Sequence, residues 1–282
     1  MTAVFLAFAI TAVLAIEGCA GGSSPSSATT ITPSNAPANP PVALWVPRTS
    51  DTFQWQLGGT PDRSAAADVY DVDAFDTPAA DVAALHAQGR HVVCYVNAGA
   101  YESVRPDAAS FPKSVIGLVY QGYPDEAWLD IRNIAALAPI MDARLDRCQS
   151  KGFDAVEPDN INGSENKTGF PLTAPDQIAY NTWFAGQTHA RGMSIALKND
   201  GDQSPQLLSS FDFVIAEECW FQGNCSAYAP FTNAKKAVFT VEYTDTMTSA
   251  KFHQNVCPAA TAAGVVAILK NRNLDAFREV CP

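Results

Sequence analysis

Basic residues are scarce in this chain. Of 282 residues only 18 are Lys or Arg, against 29 Asp or Glu, for a formal charge of −11. A protein of that balance lacks the cationic face that neutralises phosphates, which excludes nucleic acid as a partner. The same surplus of acid suits a cationic polymer, which an acidic cleft would attract and orient. Histidine is scarcer still, with four residues scattered at 86, 91, 189 and 253 and no CxxC pair beside them, so a zinc centre is not expected. No glycine-rich phosphate loop follows a strand, and the nucleotide-binding doubly wound folds lose their signature. The apolar stretch MTAVFLAFAITAVLAI, residues 1–16, is too short for a comfortable membrane span and stands where the hydrophobic region of an export signal belongs. Neither a metal nor another cofactor is expected.

That apolar stretch leads into IEGCAGG, which resembles a lipobox with Cys19 as the lipidation site. A signal peptide with lipobox would thus occupy residues 1–19; a cleaved signal peptide with an incidental Cys19 gives the same export. Residues 20–41, rich in Ser, Thr, Pro, Gly and Ala, cannot bury an apolar face and are expected to form a flexible tether. The folded domain is therefore expected over 42–282, secreted or held at the cell surface, monomeric, and touching membrane only through the N-terminal lipid. Seven cysteines occur, and with Cys19 set aside six can oxidise in an exported chain. Cys219 and Cys225 flank the short loop CWFQGNC, Cys257 and Cys281 could tie the C-terminus back, and Cys94 with Cys148 is the remaining pair. Spacing alone leaves fifteen pairings open.

From residue 52 onward short strand-like runs alternate with longer helical ones. The strand candidates are FQWQLG (53–58), DVYDVDAF (68–75), HVVCYVNAG (91–99), AWLDI (127–131), FDAVEPDN (153–160), MSIALKN (193–199), FDFVIAEEC (211–219) and AVFTVEY (237–243). Helix-like segments between them often end in Gly, as helix C-termini do. Eight such units predict a single-domain α/β fold, a (β/α)8 TIM barrel. A ninth run, GVVAILK (264–270), is either an extra strand or the true eighth with one earlier assignment displaced.

In such a barrel the polar residues at the C-terminal strand ends line the active face. Read in order these ends give Gln56, Asp73, Asn97, Asp130, Glu157 with Asp159, Lys198 with Asn199, Glu217 with Glu218, and Glu242. FDAVEPDN is the densest of them. Alternation along a strand puts Glu157 and Asp159 on one face, roughly 7 Å apart, with Asp154 and Pro158 on the other. Glycoside hydrolysis needs two such carboxyl groups across the scissile bond, one as acid and one as nucleophile or base. Asp159 or Glu157 is one partner; Glu217, Glu218 or Glu242 is the other, because a one-residue slip in register exchanges Glu217 for Glu218.

The motifs FQWQLGG, VVCYVNAGAYES, DAVEPDNING, ALKN, AEECW and FTVEY, in this order from about Trp55 to Cys281, resemble glycoside hydrolase family 114, the endo-α-1,4-polygalactosaminidase group. The resemblance implies a TIM barrel that hydrolyses α-1,4-linked galactosamine in partly deacetylated polymers. It also implies a catalytic aspartate after the fifth strand and a glutamate after the seventh, which fall on Asp159 and Glu217. Glu217, flanked by Ile215, Cys219 and Trp220, has the more apolar surroundings and is expected to be the acid. Asp159, within reach of Asn160 or Lys198, is expected to stay ionised; the reverse assignment stays open. Glu157, Asp73, Asp130 and Glu242 could bind a sugar ammonium, Trp220, Tyr243 and Tyr101 could stack on a pyranose, and Lys198 should lie among carboxylates.

Plainer readings stand beside these. Glu157 with Asp159 could cap a hydrated loop, Glu217 with Glu218 could be a salt-bridged structural pair, and Asp71, Asp73 and Asp76 read better as binding residues or helix caps than as a calcium site. Trp45, Trp55, Trp128 and Trp183 read as core. A surface lipoprotein that binds a cationic glycan without cutting it is the main alternative function. A deacetylase would need a metal centre that the histidine pattern does not support.

Overall fold

Strand and helix alternate as expected, but the rungs are counted differently. The computed structural model describes residues 44–282; the leader, Cys19 and the whole of the expected tether (20–41) lie outside the described residues. Twelve strands follow: β1 (Phe53–Trp55), β2 (Val69–Asp73), β3 (His91–Asn97), β4 (Ala100–Glu102), β5 (Ile116–Tyr120), β6 (Tyr123–Leu129), β7 (Ala155–Asp159), β8 (Ser194–Lys198), β9 (Phe213–Glu217), β10 (Val238–Tyr243), β11 (Val266–Lys270) and β12 (Glu279–Val280). One sheet runs β1-β2-β3-β7-β8-β9-β10-β11-β12, and β4-β6-β5 forms a separate antiparallel sheet. Every neighbour pair of the long sheet is parallel except β11 with β12.

The parallel rungs curl into a (β/α)8 barrel. Its seam between β11 and β1 is bridged by the C-terminal segment: Lys270 Nζ donates to Gln54 Oε1 at 3.1 Å, and the Leu57 and Gly58 N–H groups donate to the Leu274 carbonyl at 3.1 and 3.2 Å. AWLDI, expected as the fourth rung, instead falls at the end of β6 in the inserted antiparallel sheet, and GVVAILK is the true eighth rung. FDAVEPDN is consequently the fourth rung rather than the fifth, and AEEC follows the sixth rather than the seventh.

Alternation sorts the strand residues as a closed sheet requires. Val69, Val93, Ala155, Ala196, Phe213, Ile215 and Val241 meet inside the barrel. Their neighbours Tyr70, Val72, Val92, Cys94, Val156, Ile195 and Val214 pack outward under the helices. The two long helices are α2 (Ile134–Lys151) and α3 (Ala174–Ala190), after the shorter α1 (Ala79–His86). Asn133 caps α2 by accepting the Ala136 N–H, and Gly152 ends it in the left-handed region at φ 85°. Thr173 and Asp176 close a capping box on α3.

Three disulfides join Cys94 to Cys148, Cys219 to Cys225 and Cys257 to Cys281. The first ties β3, which carries the barrel's front wall, to α2 across 54 residues of chain. Replacing both Cys94 and Cys148 with Ala is expected to lower unfolding free energy by about 4 kcal/mol on loop-closure grounds. Guanidinium denaturation of the double variant checks this; a loss under about 1 kcal/mol would show that the packing of α2 alone holds β3.

Candidate active site

The barrel's C-terminal mouth is a cleft of about 600 Å³, within the usual range for a ligand site. At its floor Lys198 is the centre. Its Nζ lies 2.6 Å from Glu157 Oε1, 3.3 Å from Asp159 Oδ1 and 3.1 Å from Glu217 Oε2. The indole of Trp55 lies beneath, 4.3 Å from ring centroid to Nζ. The ammonium donates a hydrogen bond to Glu157 and forms ion pairs with the other two carboxylates. The arrangement follows from strand register: β7 presents Glu157 and Asp159 inward at alternate positions, β8 presents Lys198, and β9 presents Glu217.

Burial alone would lower the lysine's pKa, but Asp159, Glu157 and Glu217 outweigh it and hold it well above the ordinary value. The lysine is charged at any physiological pH. Below it Asp71, wholly buried on β2, is raised well above the usual carboxylate range, by burial first and then by the charge of Glu157. Asp71 therefore carries a proton and Glu157 the charge. Both Asp71 oxygens and Glu157 Oε2 lack any other hydrogen-bond partner, and that proton supplies one.

The two carboxylates above the lysine differ in their surroundings. Asp159 is ion-paired with Lys198 and accepts from the Tyr95 hydroxyl at 2.8 Å and from Asn160 through its backbone N–H at 2.9 Å and its side-chain amide at 3.4 Å. Glu217 is ion-paired with Lys198 and accepts from the Tyr243 hydroxyl. Its side chain is also the more exposed, 27% against 19% for Asp159. Both phenols stay protonated donors, because burial first and the adjoining carboxylate second push Tyr95 and Tyr243 well above their ordinary pKa. Since one nitrogen contacts both carboxylates, their nearer oxygens are separated by at most 3.3 plus 3.1 Å.

Backbone conformation at the rim is unusual. Asn160, Asn199, Asp200 and Glu218 all adopt positive φ of 51–62°, within two residues of the ends of β7, β8 and β9. Asn and Asp tolerate this region better than other residues, and glutamate does so at a cost. Close approach also dictates one glycine: a Cβ on Gly99 would sit 1.7 Å from the Asn160 carbonyl oxygen. That contact lets the Ala98 and Gly99 N–H groups both donate to the Asp159 carbonyl at 3.0 Å, which fixes the end of β7 against β3.

Of the residues expected at the mouth, Asp159, Glu217, Lys198 and Tyr243 meet there. Glu157 belongs to the same cluster but its side chain is 0% exposed, so it holds Lys198 and cannot touch a sugar. Five others are held elsewhere. Asp73 turns to Arg105 at 2.6 Å and accepts the Phe75 and Asp76 N–H groups. Asp130 is paired with its neighbour Arg132. Glu242 points out of the barrel on β10 and accepts the Trp220 and Phe221 N–H groups, and burial pushes it up to about 7. Trp220 donates its indole N–H to Thr240. Tyr101 packs edge-on against Phe111. Asp73 and Asp76 both face Arg105, whereas Asp71 lies buried beside Glu157, so the three are not brought together.

Several lining residues escape a strand-by-strand reading. Trp55, read as core, is buried yet forms part of the cleft floor, as the last inward residue of β1. Tyr120, Tyr123 and Glu126 reach the cleft from the β5–β6 hairpin, and Arg272 reaches it from the C-terminal segment, stacked over Tyr243 at 3.8 Å and paired with Glu218.

Removing one partner of a buried ion pair strands the other. Lys198→Met is expected to cost about 3–5 kcal/mol of stability, whereas Asp71→Asn, which keeps a donor facing Glu157, should cost no more than about 1 kcal/mol. Urea denaturation of both variants checks the pair; equal losses would contradict the protonation of Asp71.

The chain and its fold have counterparts among known proteins. A family model described as glycoside-hydrolase family GH114 matches residues 34–282. The crystal structure of Aspergillus fumigatus Ega3 in complex with galactosamine superposes with a TM-score of 0.80 at 35% identity, covering 86% of this chain and 100% of that one. The glycoside hydrolase domain of Pseudomonas aeruginosa PelA shares the fold, with a TM-score of 0.64 at 13% identity over 82% of this chain and 98% of its own. A Deinococcus radiodurans protein described as uncharacterized is 26% identical over 93% of this chain and 96% of its own length.

Proposed function

The chain belongs to glycoside-hydrolase family GH114, and from that premise we propose that it is an endo-acting hydrolase of α-1,4-linked galactosamine polymers, with Asp159 as nucleophile and Glu217 as acid and base. The observation that carries the roles is the shared ammonium of Lys198, which holds both carboxylates at one place in the cleft. A galactosamine substrate is supported by the 35% identity to Ega3, whose structure contains that sugar. Asp159 is oriented by hydrogen bonds from Tyr95 and Asn160 and by the ion pair with Lys198, which suits attack on the anomeric carbon. Glu217, with fewer donors and greater exposure, can pass a proton to the leaving oxygen.

In the first step an Asp159 oxygen bonds to C1 while the C1–O bond to the next sugar breaks and Glu217 protonates that oxygen. In the second, Glu217 takes a proton from water, the hydroxide oxygen bonds to C1, and Asp159 leaves as carboxylate. This double displacement uses carboxyl groups about 5–5.5 Å apart. The shared contact with Lys198 keeps the facing oxygens of Asp159 and Glu217 close, which supports the retaining course proposed here. We further infer that the enzyme works outside the cytoplasm, a reading supported by its three disulfides and by the leader sequence.

Incubation of the purified protein with deacetylated galactosaminogalactan should release short galactosamine oligomers detectable by mass spectrometry, with the α-anomer appearing first by NMR. Asp159→Asn and Glu217→Gln should each lower kcat by about 10²–10⁴-fold while polymer binding persists. Binding without any release of oligomers by the wild type would replace the enzyme with a glycan-binding protein, and a first-formed β-anomer would overturn the nucleophilic role of Asp159.

A further inference from the structure

Glu126 is a carboxylate that the chemistry above leaves unused. It stands on β6, within the inserted hairpin that overhangs the cleft. Its cross-strand partner in the β4–β6 register is Glu102, so two acids face one another where like charges are unfavourable. Glu102 takes the available cations, with Arg105 at 2.9 Å and Arg144 at 3.8 Å. Glu126 gets none. Its single hydrogen bond among the described residues comes from the Asn97 amide at 3.2 Å, and it forms no ion pair there. The Asn97 amide cannot turn away, because its oxygen accepts the Ala100 N–H at 2.8 Å. Asn97 is also the register partner of Asp159, which brings Glu126 beside the nucleophile.

Two tyrosines flank this carboxylate at the cleft edge. Tyr120 and Tyr123 stand edge to face, with centroids 5.3 Å apart, and Tyr120 is backed by Trp128 at 4.7 Å. Such rings suit the apolar face of a pyranose. A half-buried anion beside two further anions and without a cation of its own is a receptor for an external cation. Burial first, then Asp159 and Glu102, push Glu126 up to about 7, and an ammonium at this position would reverse that repulsion.

We propose that Glu126 receives the C2 ammonium of the sugar whose anomeric carbon Asp159 attacks, and thereby selects deacetylated over N-acetylated units at that position. This rests on the galactosaminidase reading and names the residue that sets its preference. An N-acetyl group there would leave Glu126 desolvated and unpaired, whereas at other positions along the polymer it meets no such demand. The restriction applies to one sugar per cut, the one that becomes the new reducing end.

A partly acetylated α-1,4 galactosamine polymer digested in ¹⁸O-labelled water tests it, since each new reducing end carries the label and tandem mass spectrometry identifies its sugar. For the wild type the labelled ends should be galactosamine almost throughout. Glu126→Gln should raise KM on the fully deacetylated polymer about 10–100-fold, with kcat changed far less, and should admit N-acetylgalactosamine at labelled ends. Glu126→Asp, which keeps the charge, should retain the galactosamine preference at a smaller cost in KM. A Glu126→Gln enzyme with unchanged KM and unchanged end composition overturns the inference and leaves the parent reading intact. A wild type that yields no labelled ends overturns both.

Discussion

The Lys198 ammonium is the constraint on which the site depends. Three carboxylates from two rungs converge on one buried nitrogen supplied by the rung between them. Without it they could not all be charged, since each would face two like charges in a medium of reduced dielectric. With it, Glu157 anchors the lysine from below while Asp159 and Glu217 are held from above at a spacing limited by a single atom. Buried ion pairs seldom add net stability over apolar packing. What this one contributes is position: it fixes two reactive groups without using loops, on the most rigid part of the fold. The proton on Asp71 completes the cluster by satisfying Glu157 without adding charge.

Rigidity at the floor is matched by strain at the rim. The strands end in residues with positive φ, so that the chain turns sharply and the side chains just before the turn face the opening. Asn160 and Asn199 then do further work, the first donating to Asp159 and the second accepting the Glu217 N–H at 2.9 Å. Gly99 is required for the same reason, since any side chain there would drive β3 away from Asn160. Stability lost in these conformations is recovered in the layers beneath, where barrel interior and helix faces are closely packed.

The barrel and its central pair were legible in sequence because strands obey a period of two. FDAVEPDN has to place Glu157 and Asp159 on one face whatever the fold around it. The same period misled elsewhere. AWLDI alternates like a rung but belongs to an antiparallel insertion, and a local pattern cannot tell one sheet from the other. Glu242 sits near the end of a true rung, yet its parity is that of the outward residues: Tyr243 faces in, and Glu242 serves the turn at Trp220. Trp55 read as core because burial and cleft lining are compatible for a large ring under a buried cation. Glu126 and Arg272 could not be found, because a hairpin insertion and a C-terminal segment reach the mouth through tertiary placement alone.

Charge balance links the site to the acidity of the whole chain. With Glu217 carrying the proton of the acid, Glu157 and Asp159 around one ammonium leave net negative charge at the floor, and Glu126 adds to it where no ion pair among the described residues offsets it. A neutral sugar would have to enter such a cleft without relieving it. A polymer bearing one ammonium per sugar supplies the missing cations, so binding lowers the repulsion that the empty site sustains. Its orientation is decided by the same forces, because Arg272, paired with Glu218, makes the wall after β9 less attractive to an ammonium than the wall that carries Glu126. The asymmetry of the two walls, more than the net charge of −11, is what converts attraction for a polycation into a defined register of one sugar over Asp159.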